Sequence, residues 1–310
     1  MSAARLFAAG CAAAAVVVLA GFAFELYRLG ADDRAAAARL EEYVRGSFAG
    51  MTAAVAQAGR AVAADPAVRG AMSSNPEADD NARGLFDAAA AARASVGDDD
   101  DVALTIYDNA GTPRGWAGRA SDLPAERTKD NAGIFVTATP RGLRLLSLAP
   151  IAAATPDRSR VGAVVVEHAI EATPGVASAG LAAYSLATPL GPVRLRLPQR
   201  GGAQADGTAV FVVATPEGVP LLDASTRFVD LAAERAGLRR TVASIALGIF
   251  ALTILLLAGP LLDRRVVARA PGPEFWLTLA VVAAVMAAGA LGWLAFALSL
   301  IHISEPTRPY

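Results

Sequence analysis

A chain of 310 residues that is 54% hydrophobic and only 18% charged, with a mean hydropathy of +0.41, is too apolar for an ordinary soluble protein, so a bilayer is expected to solvate part of it. A formal charge of −1, with no arginine cluster in the polar part, excludes a phosphate-reading surface and with it nucleic-acid binding. The single cysteine, Cys11, excludes an intramolecular disulfide, so any exported domain must be held by its core.

No residue between Arg5 and Glu25 is charged, which is long enough for a first membrane span over 6–24. Ala9-Gly10-Cys11 lies too near the start for a lipoprotein signal, and the apolar run continues through Phe22 and Phe24, which favours an uncleaved anchor over a signal peptide. From Glu25 the composition turns polar. Leu40, Val44, Phe48, Met51, Val55 and Val62 recur at helical spacing on one face, with Arg45, Gln57 and Arg60 elsewhere, and Pro66 marks a break. A second, alanine-rich helix is expected over Ala82–Ser95. The aspartates at 98–101 lack the alternating ligands and the glycine of a calcium loop, and read as a solvated segment ahead of a strand.

From Val102 the period changes. Val102–Tyr107, the turn Asp108-Asn109-Ala110-Gly111 and Pro113–Gly118 read as a hairpin, with further strands at Ile134–Ala138, Leu143–Leu148 and Val161–Ile170 and a turn at Pro140-Arg141-Gly142. Together they predict a five-stranded antiparallel sheet backed by the opening helices, the module of residues 25–174. A shorter series, Ala183–Ala187, Val193–Leu197, Val210–Ala214 and Pro220–Asp223, with a turn at Thr215–Gly218, predicts a smaller β module over 175–229. A helix from Asp230 should run into a second span, giving one element over 230–262. A short loop of 263–274 then leads to a third span, 275–297, opened by Phe275 and Trp276. Arg264, Arg265 and Arg269 in that loop, with Arg5 before the first span, place both on the cytoplasmic side and residues 25–240 outside. The expected fold class is an α+β membrane protein, with long N-terminal helices and antiparallel sheets between transmembrane helices.

Little in the polar part carries chemistry. Apart from His302 near the C-terminus, His168 is the only histidine, so neither a hydrolytic triad nor a multi-histidine metal site can be assembled. Lys129, the only lysine, is not in a phosphate-binding loop. No catalytic residue, metal or cofactor is expected. Glu167 and His168 are adjacent on a predicted strand and must point to opposite faces. Tyr107, Trp116, Arg119 and His168 are the candidates for a small-molecule site, since pockets combine aromatic walls with a few directed polar groups. Core packing is the stronger reading for Tyr107 and Trp116, and a solvent-facing position is the stronger one for His168.

The order of parts resembles the extracytoplasmic region of bacterial sensor histidine kinases: an anchor, a long helix, a sheet carrying Leu104-Thr105-Ile106-Tyr107-Asp108-Asn109-Ala110-Gly111-Thr112-Pro113-Arg114-Gly115-Trp116-Ala117-Gly118-Arg119, then a helix entering the second span. The sheet resembles PAS-like or Cache-like sensor domains, and Val210–Leu222 repeats its strand-turn-strand form. The resemblance implies a protein of the bacterial inner membrane with residues 25–240 periplasmic and the N-terminus cytoplasmic. Its expected partners are the lipid bilayer, an unidentified small molecule and a second copy of the chain. The Leu40–Val62 stripe could pair such copies, although covering the domain's own sheet is the stronger reading. Leu298–Arg308 resembles the translation of a sequencing-library adaptor, which implies a native chain continuing past Ala297 towards a kinase core that would carry the phosphoacceptor histidine and ATP site. The rival expectation is a transporter or envelope-assembly component with a large periplasmic insertion, which predicts ionisable residues within the spans.

Overall fold

A computed structural model describes residues 3–74, 78–97, 101–119, 123–124, 126–139, 142–155, 159–174, 183–198, 206–267 and 271–300. Asp98–Asp100, the turn residues Pro140 and Arg141, Arg269, and residues 301–310 of the adaptor-like stretch lie outside them. In chain order, α1 (Ala3–Leu29), α2 (Asp33–Ala64), α3 (Pro66–Ser73) and α4 (Asp79–Val96) lead into β1 (Val102–Asp108) and β2 (Pro113–Ala117). A 3-10 turn (Arg127–Lys129) precedes β3 (Gly133–Thr139), β4 (Gly142–Ala152), β5 (Arg160–Ile170) and β6 (Ala172–Pro174). Then come β7 (Tyr184–Thr188), β8 (Gly191–Arg196), β9 (Thr208–Ala214), β10 (Pro220–Arg227), α5 (Phe228–Val267) and α6 (Pro271–Leu300). The architecture is α+β, and the chain divides into two compact units: Met1–Arg39 with Phe228–Tyr310, and Leu40–Arg227.

In the first unit three helical stretches, Ala4–Leu29, Phe228–Arg264 and Phe275–Leu298, are long and apolar enough to cross a membrane. Their large apolar side chains point outward: Leu19 is 68% exposed and Met286 70%. A surface of this kind is stable only against lipid or another apolar partner. Within the unit α1 packs on α5 and α5 on α6. Gly10 and Gly21 lie so close to Thr253 and Val242 of α5 that a Cβ at either position would overlap those side chains, the small-residue packing that lets helices approach where no hydrophobic effect drives them together. The corner after α1 is made by Gly30 in the left-handed region, at φ 75°. Asp32 accepts the Ala35 N–H at 2.8 Å and so caps α2, while Arg39 donates to the Leu26 carbonyl at 2.7 Å and to that of Tyr27, closing the end of α1.

The second unit holds two antiparallel five-stranded sheets, ordered β2-β1-β5-β4-β3 and β6-β7-β8-β10-β9. Val44, Phe48, Val55 and Val62 of α2 are buried, as the helical spacing predicts, while Arg45, Gln57 and Arg60 are exposed. The helix ends at Ala64, and Pro66 opens the unforeseen α3 as its first residue. Asp65 caps α3 by accepting the Ala67 N–H at 2.8 Å, because proline at the first helical position loses no bond that the helix would use. Helices cover one face of the first sheet. Gly59 of α2 lies against Val166, Ala149 and Ser147, Leu85 of α4 lies over Gly115, and Met72 of α3 approaches Gly162. At Gly162 the β1 strand also comes close: a Cβ there would overlap the Tyr107 carbonyl. β5 is therefore buried on both faces from Gly162 to Glu167, which explains its continuous apolar run.

β4 continues past Leu148, where the predicted strand stops, through Pro150 to Ala152. β3 pairs with β4 only as far as Gly133 opposite Leu148, so Pro150 lies where β4 has lost that neighbour and its missing N–H costs no ladder bond on that side. The second sheet shows one-sided alternation in β9, with Phe211 and Val213 buried and Val210 and Val212 exposed. Arg45 of α2 donates to the Val212 carbonyl at 3.3 Å.

Candidate functional site

The register places Tyr107 and His168 on opposite faces of the first sheet, with Trp116 on its edge strand. Tyr107 pairs with Ala163 and lies on the sheet face away from the helices, 2% exposed, in a cluster with Leu146, Leu148, Ala163 and Val165 against which Leu123 and Phe135 pack. Trp116 pairs with Thr105 on the edge strand β2, remains 41% exposed and meets Phe86 of α4 edge-on at 4.7 Å. Arg119 follows β2 and is exposed. His168, opposite Val102, alternates away from Tyr107; it is half-buried, and its Nδ1 lies 2.8 Å from the Ala169 carbonyl. None of the four is on the lining of the cleft described below. Tyr107 is a core residue, and Trp116 is a partly exposed edge residue instead of a fully packed one.

Two polar constellations escaped the sequence reading of this sheet. Glu167 points to the Tyr107 face, 4% exposed, and accepts from Arg144 Nη1 at 2.9 Å through Oε2. Arg144 is opposite Ala169, so the two side chains form a diagonal pair on one face. Glu167 Oε1 is buried without a hydrogen-bond partner among the described residues. At the hairpin, Asp108 Oδ1 accepts the N–H groups of Ala110 and Thr112 at 2.8 and 2.9 Å, and Oδ2 accepts from Arg114 at 2.8 Å. Burial alone would raise the Asp108 pKa. The Thr112 and Ala110 N–H groups and the Arg114 guanidinium outweigh it and hold the carboxyl below its ordinary value.

The open cavity lies elsewhere in the same unit. A cleft of about 800 Å³ is bounded by α2, α3, the adjacent β3 and β4, and the β9–β10 turn, a size within the range of small-molecule sites. Its walls are largely apolar, with Ala56, Ile134, Leu148 and Val219 among them, and its polar groups are Arg60, Arg69, Ser147, Thr215 and Glu217. Arg69 is committed, donating to the Ala152 and Ala153 carbonyls at 3.0 and 2.9 Å. Thr215 accepts the Val219 N–H at 3.3 Å and donates to Glu217. That bond, the Glu217 N–H and the charge of Arg60 together hold the Glu217 pKa below its ordinary value against the small opposing effect of burial. Arg60 makes no hydrogen bond or ion pair among the described residues, and Ser147, 4% exposed, has no hydrogen-bond partner there either. Helical periodicity marks Arg60 only as a residue outside the core stripe of α2.

A third constellation lies in the helical unit. Glu25 of α1 is 3% exposed and accepts from Arg239 Nε and Nη2, both at 2.8 Å, and from Arg235 Nη1 at 3.1 Å. Arg235 also donates to the Gly30 carbonyl at 3.2 Å and lies 3.6 Å from Asp33. Among the described residues no three His, Cys, Asp or Glu side chains cluster so as to hold a metal ion. No family model, no curated protein and no solved structure matches the chain.

Proposed function

We propose that the chain is the sensory front end of a bacterial membrane signalling protein: a PAS/Cache-like periplasmic domain, held by an N-terminal anchor, that passes a stimulus across the inner membrane to a histidine-kinase output. The observation that carries this reading is the continuity at Arg227–Phe228. The last strand of the second sheet ends at Arg227, and α5 starts at the next residue and runs for 40 residues through an apolar span. A strand joined to a spanning helix without a linker leaves no slack to absorb displacement, so a shift in the sheet loads the helix directly.

The helical unit bears on how such a signal would travel. For α5 to slide along α1 by one turn, about 5.4 Å, Thr253 and Val242 would leave the gaps at Gly10 and Gly21, and Glu25 would lose both arginines. On this reading α1 and α5 move as a pair. The transporter reading draws on the same cluster, because ionisable groups in spans mark transport paths. Glu25 is, however, only four residues from the end of α1 at Leu29, or about 6 Å of rise, which suits a clasp at the membrane boundary better than a mid-bilayer pathway.

Alkaline phosphatase fused after residue 174 is expected to be active in a bacterial host, and a fusion after residue 267 inactive, with green fluorescent protein fusions giving the reverse. An inactive phosphatase at 174 puts the sheets in the cytoplasm and overturns the sensor reading.

A further inference from the structure

We propose that the cleft between α2, α3, the β3–β4 strands and the β9–β10 turn is a binding site for an organic mono-anion, a carboxylate on an apolar body, gripped by Arg60 and Ser147 and limited to one negative charge by Glu217. Three features of the site lead to this. The wall is apolar over most of its area, with Ala56, Ile134, Ala149 and Val219 on the lining, so the body of the occupant must be apolar as well. Two polar groups on the lining make no hydrogen bond among the described residues: the exposed Arg60 guanidinium, whose charge also acts on Glu217, and the Ser147 hydroxyl, whose residue is 4% exposed. A cation and a hydroxyl that line one apolar cleft are together complementary to a carboxylate, which accepts from both.

Charge sets the limit. Arg60 and Arg69 contribute two positive charges to the lining and Glu217 one negative, which leaves one positive charge for the ligand to neutralise. A dicarboxylate would bring its second charge towards the exposed carboxylate of Glu217, and like charges brought together at the cleft rim repel. Glu217 cannot turn away freely, because Thr215 and its own backbone N–H hold its carboxylate.

The site rests on the sensor reading only for the side of the membrane from which the ligand enters, so the test measures binding by the full chain in lipid nanodiscs, where sidedness is irrelevant. Isothermal titration with phenylacetate and with 3-methylbutanoate is expected to show saturable binding, and succinate and inorganic phosphate much weaker binding. Arg60→Ala is expected to weaken the monocarboxylates about tenfold or more, the loss of one charge-assisted bond, Ser147→Ala about threefold, and Arg60→Lys less than Arg60→Ala. Glu217→Gln is expected to improve succinate several-fold and the monocarboxylates by a smaller factor. Arg60 is exposed, so its variants keep the wild-type melting temperature, and a loss of binding reads the site and not the fold. No saturable binding of either monocarboxylate overturns the proposal, as does binding indifferent to Arg60→Ala and Ser147→Ala, or succinate binding as well as phenylacetate. The phosphatase fusions separate the two ideas: failure here with an active fusion at 174 removes the ligand class and leaves the sensor.

Discussion

Replacing Arg144 by methionine should destabilise the second unit far more than removing the whole ion pair. The Arg144 side chain is 18% exposed and that of Glu167 6%, with 2.9 Å between Nη1 and Oε2. Glu167 Oε1 has no hydrogen-bond partner among the described residues, so Arg144 is the group that answers the carboxylate. Its cross-strand neighbours, Ala103 and Leu146, are apolar. Removing one partner of a buried pair costs about 3–5 kcal/mol because a charge is left in a dry site. The residual solvent contact of Arg144 argues for the lower end, about 3 kcal/mol, roughly a hundredfold in the folding equilibrium. The double variant Arg144→Met/Glu167→Leu removes both charges and keeps the volume, and should fall within about 1 kcal/mol of the wild type. Pulse proteolysis of the full chain in detergent across a urea series reads both numbers. A single variant costing under about 1 kcal/mol, or a double variant as damaging as the single, would refute the claim that the face around Glu167 is dry.

Two further outcomes follow from the same sheet. Asp108 has its folded pKa lowered, so its stabilising contribution is present above the unfolded carboxyl value near about 3.9 and is lost as pH falls through the folded value. Asp108→Asn should therefore cost about 1–2 kcal/mol at neutral pH, with the gap to wild type closing below about pH 4; a gap independent of pH in melts from pH 7 to pH 3 would contradict the assignment. Gly162→Ala places a methyl on the Tyr107 carbonyl and against Met72, and should cost about 2–4 kcal/mol by prising β1 from β5, seen as early hydrogen exchange across those two strands. Unchanged exchange there would mean that the backbones are not in contact.

Much of the first sheet is readable from alternation and turn chemistry, because Asp108–Gly111 and the flanking β-prone runs specify a hairpin locally. What escapes are features set by neighbours. β6 is three residues long, too short to carry a period, and exists through its pairing with β7. β4 outruns its predicted end because Pro150 stops a strand only where a ladder partner awaits its N–H, and β3 has already ended. The candidate site divides in the same way. Alternation places Glu167 and His168 on opposite faces, but which face is dry depends on what covers the sheet. The partner that makes Glu167 tolerable, Arg144, is 23 positions away on another strand.

Glu25 shows the same limit more sharply. In the sequence it reads only as the charge that ends an apolar run, and the span is drawn to stop before it. In the fold α1 continues four residues beyond it, and the carboxylate is buried against arginines 210 and 214 positions later. A solvent-exposed terminus would leave a glutamate there hydrated and worth little. Burial changes its role, because a carboxylate at 3% exposure must be answered, and the groups that answer it are on the helix that follows the last strand of the second sheet. The boundary drawn from hydropathy and the contact drawn from structure thus fall on one residue, and only the second ties the anchor to the helix leaving the sheets.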